Sequence, residues 1–144
     1  MSTQVVDQRS SARPESRGVA SRVLSGTFVV LAVGALVQFA LAGAGAFGGG
    51  SWPMHEMVGM TLELVAVVAL IAAFLAREGR GAVIVAFVAF VLVSLQPIFA
   101  VLATRTDPAF GTLHGVVAAL LFAHVAGIAL GRIRRPAAGG MAAV

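Results

Sequence analysis

The sequence has no cysteine and no tyrosine, and its ten basic residues are all arginine. Without cysteine there can be no disulfide, no thiolate-held iron–sulfur cluster and no covalently attached c-type haem. Without lysine there is no Schiff base, which removes retinal and pyridoxal phosphate. Charge of either sign is scarce: 11% of the 144 residues are charged, 59% are hydrophobic, and the mean hydropathy is +0.98. A soluble domain of this size does not need so much apolar surface, so the composition excludes one. The net charge of +4 comes from arginines gathered at a few places. That grouping reads as membrane orientation, and no nucleic-acid partner is expected.

What is present is four long apolar runs, at 23–44, 54–76, 81–103 and 110–131. Each has about the ~20 residues that a helix needs to cross the hydrocarbon layer. Backbone amides in lipid must be bonded within their own segment, so these runs predict helices, and the short alternating strands of a β-barrel are missing. The expected fold class is therefore all-α: an integral membrane four-helix bundle with the lipid bilayer as its surroundings. Residues 1–22 and 132–144, poor in large apolar side chains, are expected to be disordered tails. The first run is too long for the apolar region of a signal peptide and is read as a retained span, despite the small residues Ala44-Gly45-Ala46 after it.

The arginines orient the bundle. Arg9, Arg13, Arg17 and Arg22 precede the first run, Arg77 and Arg80 lie between the second and third, and Arg132, Arg134 and Arg135 follow the fourth. Only Arg105 falls in the opposite set of loops. The positive-inside rule then predicts a multi-pass protein of a bacterial plasma membrane with both termini cytoplasmic. Loops 43–53 and 104–109 face outward, with Trp52 as an interfacial anchor.

Polar side chains inside lipid are costly and are the first candidates for function. Gln38, His55, Gln96 and His114 all fall in the outer half and form one layer. The layer repeats: Gln38 precedes His55 by 17 positions, Gln96 precedes His114 by 18, and a small residue, Gly59 or Ala118, follows each histidine by four. The chain thus reads as two parallel helical hairpins of one design, related by an axis along the membrane normal. Such an axis sets His55 and His114 opposite each other at one depth. Two facing imidazoles are what a six-coordinate haem asks of a bundle, so haem b is the expected cofactor, with His55 and His114 as axial ligands of its iron. Gly59 and Ala118 would leave room for the macrocycle, and Gln38 or Gln96 would hold a ring nitrogen or a propionate. The structural alternative is that the histidines are solvated near an interface and the glutamines tie helices together, an ordinary role worth about 0.6 kcal/mol per bond.

Two further groups lie deeper. Glu63 is about two turns inside its helix, and His124 is about 15 Å below His114 at 1.5 Å per residue. They are candidates for a proton relay, either paired with each other or acting in turn, and the alternative is a neutral Glu63 hydrogen-bonded between helices. His124 has no counterpart in the first hairpin, where Val65 holds the matching place, so it is not expected to ligate iron. Ser51, Thr61 and Ser94 have no base and orienting partner at a fixed spacing, so no catalytic residue is assigned. The Glu-x-x-His signature of di-iron bundles is also missing.

The stretches Val37-Gln38-Phe39-Ala40-Leu41-Ala42-Gly43-Ala44-Gly45-Ala46-Phe47, Met54-His55-Glu56-Met57-Val58-Gly59, Leu95-Gln96-Pro97 and Leu113-His114-Gly115 resemble a family of small bacterial four-helix membrane proteins of unknown function. The resemblance runs over residues 23–131 and implies the fold but no activity. More loosely, histidines near the outer ends of helices 2 and 4 are similar to one half of haem A synthase and to helical b-type cytochromes. The chain departs from haem A synthase in having one four-helix unit and no cysteine pair. Three function classes follow. The first is a small b-type haem protein for electron transfer or haem handling. The second is an accessory subunit of a larger membrane complex, or a homo-oligomer, without a cofactor of its own. The third is a proton or cation conductor using Glu63 and His124.

Overall fold

The computed structural model describes the backbone of residues 12–134 and the side chains of 18–134. Four α-helices follow one another: α1 (Ala12–Ala46), α2 (Trp52–Ala76), α3 (Arg80–Arg105) and α4 (Ala109–Ile133). Each contains a stretch long and apolar enough to cross a membrane. The protein is a small integral membrane protein built as an all-α bundle. α1 packs on α2 and α4, α3 packs on the same two, and the diagonal pairs have no close backbone approach. The bundle is thus a square, with consecutive helices running in opposite directions, as turns this short require. Its two ends are named here by Trp52, beside the α1–α2 and α3–α4 turns, and by Glu78, in the α2–α3 turn.

The predicted runs all lie within the observed helices. α1 begins at Ala12, ahead of the apolar run that starts at residue 23. Arg and Glu are good helix formers, and an established transmembrane helix extends outward residue by residue without a new nucleation step. With 35 residues, α1 is about 52 Å long at 1.5 Å per residue and outruns a bilayer core. The remaining tail residues, 1–11 and 135–144, lie outside the described ones.

Packing is uneven along the bundle. Every fully buried residue belongs to the Glu78 half: Ala20 to Ala35 on α1, Leu62 to Ala76 on α2, Ala86 to Val93 on α3 and Leu121 to Ala129 on α4. Phe28, Leu24 and Leu31 of α1 fill the centre against a lining rich in alanine, including Ala66, Ala69, Ala73, Ala86 and Ala89. Lipid tails are as apolar as these side chains, so close packing of small residues, not hydrophobic transfer, is what holds such helices together.

The Glu78 end is also clasped by polar groups. Arg77 closes α2 in the left-handed region (φ 54°) and Gly79 follows at φ 100°. Only glycine adopts the second of these freely, and the reversal leaves Glu78 within reach of α1 and α4. There its carboxylate pairs with Arg132 of α4 and accepts from the Ser21 hydroxyl of α1. Arg132 also donates to Ser25 Oγ at 3.1 Å and lies 5.9 Å from the centre of the Phe28 ring. α1, the α2–α3 turn and α4 are thereby tied at one point.

Candidate functional site

The Trp52 half is built differently. From Leu36 to Thr61 and from Ser94 to Leu120, no described residue is fully buried. Gln38, His55, Gly59, Gln96, His114 and Ala118 are all half-buried.

His55 on α2 and His114 on α4 meet across the diagonal of the square. Their ring centroids are 6.2 Å apart and their planes are inclined at 52°. Each ring is held from behind by the glutamine of its own hairpin, but by backbone rather than side chain. His55 Nδ1 lies 3.3 Å from the Gln38 carbonyl, and His114 Nδ1 lies 3.1 Å from the Gln96 carbonyl. A carbonyl can only accept, so both bonds require the proton on Nδ1 and leave Nε2 with its lone pair. The two histidines thus share one tautomer, the one in which Nε2 can bind a metal.

The glutamine side chains lie one turn along. A Cβ on Gly59 would stand 2.9 Å from Gln38 Nε2, so the space beside Gly59 that the sequence offered to a macrocycle is taken by the Gln38 amide. In the second hairpin, the terminal amide of Gln96 donates to the His114 carbonyl at 3.3 Å and accepts from the Ala118 backbone N–H at 3.2 Å. The small residue after each histidine therefore makes room for a glutamine. Gln38 Oε1 is buried and has no hydrogen-bond partner, which leaves one acceptor of the tier unsatisfied.

Aromatic groups close the tier toward the Trp52 end. Trp52 meets His55 edge-to-face at 5.6 Å, and its indole lies against Gly45 of α1, where a Cβ would stand 2.7 Å from the ring. Ser51 Oγ donates to the Leu41 carbonyl at 2.6 Å and ties the turn to α1. In the second hairpin, Phe99 and Phe110 stack at 6.3 Å. Below the tier, Phe39 and Phe122 join α1 to α4 edge-to-face at 6.1 Å.

Glu63 and His124 are not brought together. Ser94 Oγ of α3 donates to the Glu63 carboxylate at 3.3 Å, while His124 Nε2 bonds the Val85 carbonyl of the same helix at 3.0 Å. Ser94 and Val85 are nine residues apart, about 13.5 Å along the helix at 1.5 Å per residue. The pairing of Glu63 with His124 is thus replaced by separate bonds to α3. Glu56, beside His55 in sequence, is exposed. Among the described residues, no group of three or more His, Asp or Glu side chains converges as a metal site.

Sequence reasoning did not find the carbonyl bonds, because a backbone acceptor carries no residue signature. The Trp52–His55 contact was open to it, since residues three apart share a helix face.

The chain is similar to a family of unknown function (DUF6220) over residues 38–105. That match takes in Gln38, His55 and Gln96, and it agrees with the resemblance to small uncharacterised membrane proteins. No curated protein and no solved structure matches the chain, haem A synthase and the helical b-type cytochromes included.

Proposed function

We propose that this membrane protein binds one haem b between His55 and His114, and that it carries electrons or holds haem near one face of the membrane. The observation that carries the reading is the facing pair of imidazoles, each with Nδ1 on a backbone carbonyl and Nε2 free. A metal–nitrogen bond of about 2.0–2.1 Å on each side, plus the radius of each ring, puts two axial imidazole centroids about 6 Å apart. The separation of 6.2 Å fits that spacing. Two neutral ligands alone are too few for a bare divalent ion, whereas a porphyrin brings the four equatorial nitrogens itself.

The surroundings fit as well. The Trp52 half holds no fully buried residue, and Gln38 sits there with a buried oxygen that has no partner to lose when the side chain moves. When bound, the haem supplies a one-electron couple. The chain's part is to fix the tautomer and direction of both rings, to surround them with apolar helices and to screen His55 with Trp52. In the same reading the arginine distribution places the Glu78 end and both termini in the cytoplasm and the haem near the outer face.

The test is the absorption spectrum of the full chain, purified from cells supplied with haem precursor, before and after dithionite. The expected result is a low-spin b-type spectrum at one haem per chain. Protein that stays colourless after addition of excess haemin would refute the reading.

A further inference from the structure

Among the described side chains, the Glu78 end carries more positive than negative charge. Arg22, Arg77, Arg80, Arg132 and Arg134 cluster there among the described side chains, against Glu78 as the one carboxylate. Glu78 is committed to Arg132, which is half-buried and clasped to Ser25 as well. Arg22, Arg77, Arg80 and Arg134 are exposed. They come from all four corners of the square: the start of the apolar part of α1, the ends of α2 and α4, and the first residue of α3. The Trp52 end is the opposite case, where Arg105 stands with Asp107 and Glu56.

The position of these arginines defines the partner. Each is at the boundary where a helix leaves the apolar layer, so its stem can lie along lipid while its guanidinium reaches the headgroup level. A guanidinium offers a planar fork of donors that matches a phosphate, and it cannot lose its charge. Arg77 and Arg80 stand three positions apart on the rim, either side of the Glu78 that pairs with Arg132.

We propose that the Glu78 end binds the phosphates of anionic phospholipids in the adjoining leaflet through Arg22, Arg77, Arg80 and Arg134. The site is independent of the haem reading and stands if that reading fails. It gives the bundle a lipid preference at one end only, and it braces the turn that also holds the Glu78–Arg132 clasp.

Native mass spectrometry of the full chain in detergent tests this, with phosphatidylglycerol and phosphatidylcholine of identical acyl chains offered in equal amounts. Phosphatidylglycerol is expected to be retained in preference. A basic residue near an anionic surface contributes about 1 kcal/mol, so Arg77→Gln should weaken retention about 5-fold and the Arg77→Gln/Arg80→Gln pair about 30-fold. Arg105→Gln at the far end should leave it unchanged. All three positions are exposed, so unaltered helix content by circular dichroism is expected in each variant. Equal retention of the two lipids, or full preference in the double variant, would overturn the proposal. Displacement by millimolar glycerol phosphate would overturn it too, in favour of a soluble phosphate ligand.

Discussion

The two hairpins, α1–α2 and α3–α4, set the same pair of residues at the same level and then treat them differently. In both, a histidine at the start of the returning helix bonds the carbonyl of a glutamine on the outgoing one, at 3.3 Å in the first and 3.1 Å in the second. The glutamine side chains then diverge. Gln38 presses on Gly59 with its oxygen unpartnered, while the Gln96 amide bonds the His114 carbonyl and the Ala118 backbone N–H. Above them, a tryptophan edge covers His55, whereas a phenylalanine stack seals the mouth of the second hairpin. The common part fixes the ring tautomer and direction. The divergent part makes the first hairpin the one whose polar group can yield.

The largest expected effect removes what the hairpins share. His55→Ala and His114→Ala should each abolish the low-spin haem spectrum, because one iron needs both rings, while His124→Ala should retain it. Equal loss in the two hairpins is the prediction. A spectrum that survives in one of the single variants would show that the rings are not equivalent ligands.

The next effect separates the hairpins by space. Gly59→Ala puts a methyl group 2.9 Å from Gln38 Nε2, the movable end of a flexible side chain, so it should lower stability by about 1 kcal/mol, the low end of the range for overpacking. Gly127→Ala on α4 meets nothing within 4 Å and should not destabilise. Unfolding in mixed micelles with rising denaturing detergent compares the two. Equal stability would mean that the Gln38 amide is not confined against Gly59.

A comparable effect separates them by hydrogen bonding. Gln38→Leu removes an acceptor that is already unsatisfied and should be neutral or slightly stabilising in the haem-free protein. Gln96→Leu removes an amide in contact with His114 and Ala118 and should cost about 1 kcal/mol. The same micelle titration reads both, and a larger cost at Gln38 would reverse the comparison.

The smallest effect lies at the other end of the molecule. Arg132→Gln breaks the pair with Glu78, whose side chains are 18% and 29% exposed, so the loss is expected at about 1 kcal/mol and should shrink as salt is raised. A salt-independent loss would point to the Arg132–Phe28 contact instead.

How much of this the sequence displays depends on which atoms carry it. The four spans are legible because the lipid demands long uninterrupted apolar helices, and the charge-free lengths leave no other reading. The opposition of His55 and His114 is legible through the spacing of Gln38, His55, Gln96 and His114. The bonds that orient the rings are not, since they end on main-chain carbonyls that every residue possesses. The helical start of α1 before Arg22 was hidden because polar composition argues for disorder, whereas an adjoining membrane helix simply propagates into those residues. Glu63 and His124 look like partners by residue type, yet each found a closer acceptor or donor on α3. At Gly59 the missing side chain makes room as the spacing suggests, and a glutamine amide, which no spacing reveals, stands beside it.

The most direct measurement of the central claim is the electron paramagnetic resonance and near-infrared magnetic circular dichroism of the ferric, haem-loaded full chain. The account predicts one low-spin iron per chain with two imidazole ligands, at a ring inclination free of the coplanar constraint, given the 52° between His55 and His114. A high-spin iron, a ligand pair other than two histidines, or bis-imidazole ligation that persists in the His55→Ala/His114→Ala double variant would contradict it.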